Sequence, residues 1–188
     1  SMGAHVLAQC AADEPDALSR LVLFDPVICA PEFYAPDAAL FTSDAPHPAI
    51  RRKRDFASPE AMMERFQGRD PYCLFDPRVF EDYCRHGLLA KAGGEGYELA
   101  CTPQVEASVY ASSRSNAGIL DAAKRIAAPT FVVRAKQTEF TDFKSSPTWP
   151  QLASVIPQGE DLHRPDRTHF HPFEDPADAA RIIAGFIG

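Results

Sequence analysis

At four places a residue with a side-chain oxygen and the proline that follows it stand at the start of a helical pattern, and this placement constrains the fold more than any other feature of the sequence. The pairs are Ser58-Pro59, Asp76-Pro77, Thr102-Pro103 and Asp175-Pro176. At a helix N-terminus such an oxygen accepts an N–H that has no partner within the helix, and proline at the first helical position has no N–H to leave unpaired. Proline makes up 17 of the 188 residues, about twice its usual share. These four positions nevertheless predict helix starts in a mixed α/β chain rather than a proline-rich linker.

Apolar patterns predict strand–helix segments near both ends of the chain and mainly helices between them. The continuous apolar run Leu21–Phe24 is typical of a strand covered on both faces in a parallel sheet. A β-branched run over residues 128–134 predicts a second strand, and a weak third strand is expected near 160–163. The other predicted elements are helices over residues 3–12, 59–67, 77–86, 103–112, 150–156 and from 176 onward, an irregular segment over 27–57, and a turn over 93–96.

Charge and cysteine content exclude several classes of partner. The formal net charge is −7 and the isoelectric point is about 5.3, which argues against nucleic-acid binding because phosphates need a basic face. No apolar run approaches the roughly 20 residues that a membrane-spanning helix needs. The five cysteines are odd in number and form no C-x-x-C pair, so neither a disulfide framework nor a zinc site is expected. The sequence therefore predicts a cytoplasmic protein without a metal, a membrane partner or a nucleic-acid partner.

The first three residues match part of a known catalytic turn. Ser1, one residue and Gly3 form the second half of the nucleophile elbow G-x-S-x-G, and a helix of small residues and an apolar strand follow. Such a turn projects the serine hydroxyl, and the next N–H faces an oxyanion. The far end of the chain supports this interpretation of the three residues. There, a histidine stands shortly before the last helix, in the run Thr168-His169-Phe170-His171-Pro172.

Three runs of the sequence resemble the C-terminal half of α/β-hydrolase fold enzymes. The segment from the nucleophile through the sixth strand is similar to SMGAHVLAQCAADEPDALSRLVLFDPV, the seventh strand to IAAPTFVVRA, and the catalytic-histidine loop with its closing helix to THFHPFEDPADAARIIAGFI. The resemblance implies an α/β fold that holds the C-terminal half of the parallel sheet, with a helical cap inserted after the sixth strand. It implies a core over residues 1–28, a cap or lid over 29–116, and a core with the seventh and eighth strands over 117–188.

The same resemblance implies a catalytic triad. Ser1 matches the nucleophile, His169 matches the general base, and the N–H of Met2 matches one oxyanion donor. Two carboxylates compete for the acid. Glu139 lies in the loop after the seventh strand, one position later than the usual acid of the family, whereas Asp25 lies at the end of the sixth strand, where some members carry theirs. Asp25 is slightly favoured, although a turn residue before Pro26 is its simpler interpretation.

Other prominent residues are expected to be structural. Four histidines are expected to be solvated or packed side chains: His47, His86, His163 and His171. The basic run Arg51-Arg52-Lys53-Arg54 is expected to form a solvated surface rather than a carboxylate site. The inner face of the cap is expected to be formed by Met62, Met63, Phe66, Phe75, Phe80 and Tyr83. No individual substrate-binding residue is predicted.

The sequence therefore predicts a serine hydrolase without a cofactor that cleaves a small ester or related acyl compound; acyl transfer and carbon–carbon bond hydrolysis fit equally well. Leu21–Phe24 needs strand neighbours on both sides. We therefore expect the N-terminal half of the protein as a partner, either as a separate fragment or as a preceding segment of the same chain. Two alternatives remain open: a non-catalytic binding protein on the same fold, and an N-terminal-nucleophile amidohydrolase produced by cleavage before Ser1, in which the α-amine acts as the base.

Overall fold

The computed structural model describes residues 1–35, 47–139 and 142–188. Part of the predicted irregular segment, residues 36–46, lies outside the described residues. In chain order the helices and strands are α1 (Met2–Asp13), β1 (Leu21–Phe24), β2 (Asp55–Phe56), α2 (Pro59–Phe66), α3 (Pro77–His86), β3 (Leu88–Ala90), β4 (Tyr97–Leu99), α4 (Pro103–Ala111), α5 (Ile119–Ala123), β5 (Thr130–Ala135), α6 (Leu152–Val155), β6 (Gly159–Arg164), α7 (His171–Glu174) and α8 (Pro176–Ile187).

The described residues form two compact units. The first holds the residues up to 35 together with Ser113–Pro172 and Pro176–Gly188, and the second holds the residues from 47 to Ser112 together with Phe173–Asp175. The limits expected from the sequence, 1–28, 29–116 and 117–188, remain predictions.

A parallel three-stranded sheet organises the first unit, with β5 between β1 and β6. Leu21 pairs with Thr130 across β1 and β5, and Thr130 pairs in turn with Gly159 on β6. All three predicted strands are confirmed. Because the strands run in the same direction, their carboxyl ends lie at one edge of the sheet, where sites in open α/β folds form.

The core of the first unit packs small residues of two helices against the sheet. Ala8 and Ala11 of α1 and Ala122 of α5 are buried in one apolar cluster with Leu23 of β1 and Val132 of β5. Alanine side chains let the helix backbones approach the sheet closely, and larger branched residues such as Leu23, Ile119 and Leu152 fill the rest of the cluster. Each fully buried leucine or valine contributes about 1.5–3 kcal/mol of transfer free energy.

The second unit contains a small sheet that the sequence analysis did not predict. Strands β2, β4 and β3 pair antiparallel in that order, and they pack with α2 and α3 around the buried Met62 and Cys84. Strands of two and three residues are too short to show an alternating pattern. Gly96, in the predicted turn, has φ +90°, and a Cβ at this position would lie 2.9 Å from the carbonyl oxygen of Phe56. Glycine is therefore required at position 96 for two reasons, the positive φ and the close approach of the Phe56 backbone.

Three of the predicted helix starts carry the expected side-chain caps. The Ser58 hydroxyl accepts the N–H of Ala61 at 3.2 Å, Asp76 accepts that of Arg78 at 2.9 Å, and Thr102 accepts that of Val105 at 3.3 Å. The fourth predicted start is also confirmed, since α8 begins at Pro176.

Three residues of the basic run, Arg51, Lys53 and Arg54, are exposed as expected, whereas Arg52 is half-buried. Arg52 forms a two-pronged ion pair with Glu106, at 2.5 and 2.6 Å, and donates to the hydroxyl of Tyr72 at 2.6 Å. Arg54 is paired with Glu98. The carboxylates that neutralise this run lie more than 40 positions away in sequence, so a local charge count could not identify them.

Candidate active site

Asp25 occupies the first position after β1 in an unusual backbone conformation. Its φ of +45° is the only positive φ at a non-glycine residue in the described part of the chain. The residue before a proline normally adopts an extended conformation, so this geometry at Asp25-Pro26 is strained, and such strain is concentrated at functional sites. The Asp25 N–H donates to the carbonyl of Val133 at 2.8 Å, which continues the ladder with β5 while the chain turns. The turn leaves the carboxylate buried at the carboxyl edge of the sheet.

Both oxygens of the Asp25 carboxylate are hydrogen-bonded. Oδ1 accepts the N–H of Ala135 at 3.0 Å and the hydroxyl of Ser146 at 2.5 Å, and the hydroxyl of Thr148 lies 3.3 Å from it. Oδ2 lies 2.5 Å from Nδ1 of His169. Burial alone would raise the pKa of Asp25, but the hydrogen bond and charge of His169, followed by the other donors, outweigh burial and lower that pKa below its usual value. The carboxylate is therefore ionised at neutral pH.

The ionised carboxylate determines which nitrogen of His169 carries a proton. A carboxylate can only accept, so Nδ1 of His169 must donate, and in the neutral imidazole Nε2 is left as an acceptor. The loop itself is held by the His169 N–H, which donates to the carbonyl of Lys144 at 2.8 Å. A half-buried imidazole with an oriented basic nitrogen is suited to remove a proton from a neighbouring hydroxyl.

Ser1 lies against the same end of β1. Its nitrogen donates to the carbonyl of Phe24 at 2.9 Å, and its carbonyl accepts the N–H of Val27 at 3.4 Å, so that its two backbone groups contact the residues on either side of Asp25-Pro26. The Ser1 hydroxyl does not cap α1, although serine at this position commonly does. Within the described residues, His169 has its side-chain hydrogen bond to Asp25 and none to this hydroxyl.

Met2 is the first residue of α1. N–H groups in the first turn of a helix have no acceptor within the helix, and the helix dipole favours negative charge there. The Met2 N–H is therefore one of the groups at the start of α1 that have no acceptor within the helix.

The structure pairs His169 with one of the two candidate acids. Asp25 contacts the imidazole, whereas the Glu139 side chain is exposed to solvent. Sequence reasoning missed Ser146 and Thr148, whose hydroxyls contact the carboxylate. They lie in the loop after β5, the loop examined for the acid, and isolated hydroxyl residues carry no sequence signal for this role.

The other histidines are placed as follows. His47, His86 and His163 are exposed, and His171 is buried. His5, which the sequence analysis did not single out, is also buried, and its Nδ1 lies 2.8 Å from the carbonyl of Val27. Among residues 1–35, 47–139 and 142–188, no group of three or more His, Cys, Asp or Glu side chains is arranged to hold a metal ion. Within those same ranges, every helix falls short of the length and apolar content that a membrane-spanning helix needs.

Comparison with known proteins rests on structure, since no protein-family model and no curated protein matches the sequence. The chain is similar to an E-2-(acetamidomethylene)succinate hydrolase, with a TM-score of 0.70 and 18% identity over 100% of this chain and 64% of that one. It is similar to the peroxisomal α/β-hydrolase Lpx1 of Saccharomyces cerevisiae, with a TM-score of 0.71 and 15% identity over 100% of this chain and 51% of that one. It is also similar to a thioesterase domain from the curacin biosynthetic pathway, with a TM-score of 0.62 and 16% identity over 98% of this chain and 62% of that one.

The chain thus spans between about half and two thirds of the length of these structures. At identities below 20% the likeness establishes the fold alone. The parallel sheet with β5 at its centre, the helices packed on it and these three likenesses agree: the chain has the α/β-hydrolase fold and spans its C-terminal half.

Proposed function

We propose that this protein is a serine hydrolase that cleaves a small ester or related acyl compound through an acyl-enzyme. The observation that carries the proposal is the 2.5 Å contact between Asp25 and His169, at the sheet edge where Ser1 begins α1. The activity is that of the whole protein, because the chain spans only part of the length of its structural neighbours.

The first half of the reaction forms the acyl-enzyme. Nε2 of His169 takes the proton of the Ser1 hydroxyl while Oγ bonds to the substrate carbonyl carbon, and the carbonyl oxygen becomes an oxyanion near the Met2 N–H. The carboxylate of Asp25 offsets the positive charge that forms on the imidazole. The tetrahedral intermediate then collapses, and the leaving group departs with the proton from His169.

The second half releases the acid. Water loses a proton to His169 as its oxygen bonds to the acyl carbon, and the proton returns to Ser1 Oγ when the acyl–oxygen bond breaks. The buried hydrogen bonds on Asp25 support this role, since they hold its carboxylate still and ionised throughout the cycle.

The substrate class is proposed from the chemistry of the site and from the neighbours. A serine nucleophile attacks esters, thioesters and activated amides by the same steps. One neighbour is named a thioesterase domain and another a hydrolase of an acetamidomethylene succinate. A carboxylic thioester or ester is therefore the first substrate class to test.

The decisive experiment is labelling of the intact protein with a fluorophosphonate, followed by peptide mass spectrometry. We expect the label on Ser1, and we expect the folded His169→Ala variant to react far more slowly. Ser154→Ala removes an exposed hydroxyl that donates to the carbonyl of Gln151, just before α6, and serves as the matched control. Folded protein that carries no label at Ser1 would favour a non-catalytic binding protein.

Turnover separates the triad from the N-terminal-nucleophile alternative. With a p-nitrophenyl ester of a short acid, we expect Ser1→Ala and His169→Ala each to lower kcat by on the order of 10⁴-fold or more. An amine base would leave most of the activity in His169→Ala.

A further inference from the structure

A second pair of side chains joins the segments that carry the candidate acid and base. Phe24 and Asp25 are adjacent on one segment, and His169 and His171 lie two positions apart on the other. Next to the Asp25–His169 hydrogen bond, the ring of His171 packs edge-on against the ring of Phe24, with 5.5 Å between centroids and 73° between planes. The same two segments are therefore held together at two points.

His171 is one of the most buried polar residues of the first unit, with 2% of its surface exposed. Its Nε2 lies 2.9 Å from Oδ2 of Asp178 on α8, and a carboxylate can only accept, so this nitrogen carries the proton. The His171 N–H also donates to the carbonyl of Thr168 at 2.9 Å, which closes the turn that contains His169. The ring is thus held at its polar end by the hydrogen bond to Asp178 and at its side by the edge-on packing with Phe24.

Asp178 is itself anchored from two elements. It pairs with Arg164 at the end of β6, and Arg181 one turn further along α8 approaches its Oδ1 at 3.0 Å. Burial would raise the pKa of Asp178, but these partners, led by Arg164, lower it, so the carboxylate is charged when it holds the imidazole. The chain of contacts therefore runs from β6 and α8 through His171 to the end of β1.

A packing role alone does not require this arrangement. A leucine could fill the space against Phe24 without burying an imidazole and a carboxylate, and buried ionic groups are often no more stabilising than apolar residues of the same size. The His171–Asp178 pair adds a defined orientation, because a hydrogen bond to a fixed carboxylate allows one orientation of the His171 ring. Catalytic groups need such support, because a displacement of about 1 Å can cost on the order of 10²-fold in rate.

We propose that His171 and Asp178 are positioning residues, which hold the turn 168–171 so that Nδ1 of His169 meets Oδ2 of Asp25. The catalytic consequence rests on the proposed hydrolase function, whereas the positioning itself does not. The two can therefore be tested separately.

The test compares three variants of the intact protein at His171 by proton NMR and by kinetics. The readout of positioning is the downfield resonance of the His169 Nδ1 proton shared with Asp25. His171→Gln places an amide N–H close to the original Nε2 and can still donate to Asp178. His171→Asn is too short to reach it, and His171→Leu keeps volume without a donor.

We expect the downfield resonance in the wild type and in His171→Gln, and its loss or broadening in His171→Asn and His171→Leu, while the near-UV circular dichroism stays native. We also expect kcat to fall by up to about 10²-fold in His171→Asn and His171→Leu, with little change in KM. His171→Gln should keep most of the wild-type rate. His163→Leu, at an exposed position of β6, is the control and should keep both the downfield resonance and the wild-type kcat.

Two outcomes would overturn the positioning role: a folded His171→Leu or His171→Asn that keeps the resonance, or a wild-type protein that lacks it. If His171→Leu fails to fold, the comparison of the two polar variants decides. A resonance that depends on His171 in a protein that hydrolyses no ester would leave the positioning role standing and reject the hydrolase proposal.

Discussion

Nδ1 of His169 lies 2.5 Å from Oδ2 of Asp25, a residue 144 positions earlier in the chain. The two meet because β1 and β5 run parallel, which brings the turn after β1 to the edge that the loop after β6 also reaches. This contact favours Asp25 over Glu139 as the group that orients the imidazole.

Asp25→Asn is expected to lower kcat by on the order of 10⁴-fold with little change in KM, because an amide N–H would favour the wrong tautomer of His169. Steady-state hydrolysis of an activated ester measures this. Glu139→Gln changes an exposed carboxylate and should leave kcat within about twofold. The reverse pattern, a large loss at Glu139 and none at Asp25, would make Glu139 the acid.

Stability should depend on pH through Asp25. Its pKa in the folded protein lies below the unfolded value of 3.8, so its contribution is fully present above that value and is lost as the pH falls through the folded pKa. In urea unfolding, the free-energy difference between wild type and Asp25→Asn should be largest near pH 6 and shrink below about pH 4. The other carboxylates are common to both proteins and cancel. A difference that grows in acid would contradict the lowered pKa.

Ser146→Ala should destabilise the protein by about 1.5–3 kcal/mol, because it removes a hydrogen bond to a buried charged group. The Ser146 hydroxyl donates to Asp25 Oδ1 at 2.5 Å, whereas that of Thr148 donates to the carbonyl of Pro26 at 2.7 Å. The pKa of Asp25 should rise as a result. Urea unfolding measures the loss, and Ser154→Ala, which removes an exposed hydroxyl, should cost less than about 1 kcal/mol. Equal costs for the two variants would show that the contact with Asp25 is not a strong one.

Gly159→Ala should destabilise the sheet of the first unit by about 2–3 kcal/mol. A Cβ at the start of β6 would lie 2.1 Å from the carbonyl oxygen of Ala153 and 3.0 Å from Cβ of Ile156, and backbone atoms cannot rotate away. At Gly185, within α8, a Cβ would meet nothing within 4 Å. Gly185→Ala is therefore expected to be stabilising by up to about 1 kcal/mol. Thermal unfolding of the two variants should move in opposite directions, and a Gly159→Ala variant as stable as the wild type would contradict the close approach.

Local patterns were enough to predict the strands of the first unit and several helices of both units. The four apolar residues of β1 and the capped starts at Ser58 and Thr102 were predicted because each signal lies within a few consecutive residues. The small sheet of the second unit was missed because its strands are two and three residues long, and pairing, rather than sequence pattern, forms them.

The candidate site likewise contains residues that local sequence motifs identify and residues that only long-range packing brings together. Short motifs beside helix starts were enough to identify Ser1, Met2 and His169 as candidates, and local position reduced the acid to two carboxylates. Which carboxylate meets the imidazole is visible only in the folded chain, which also brings in Ser146, His171 and Asp178, residues that no motif marks. Their contacts depend on strand register, on the left-handed turn at Asp25 and on burial. The contacts of Ser146 with Asp25 and of His171 with Phe24 join segments more than 100 positions apart, so no short stretch of the chain encodes them.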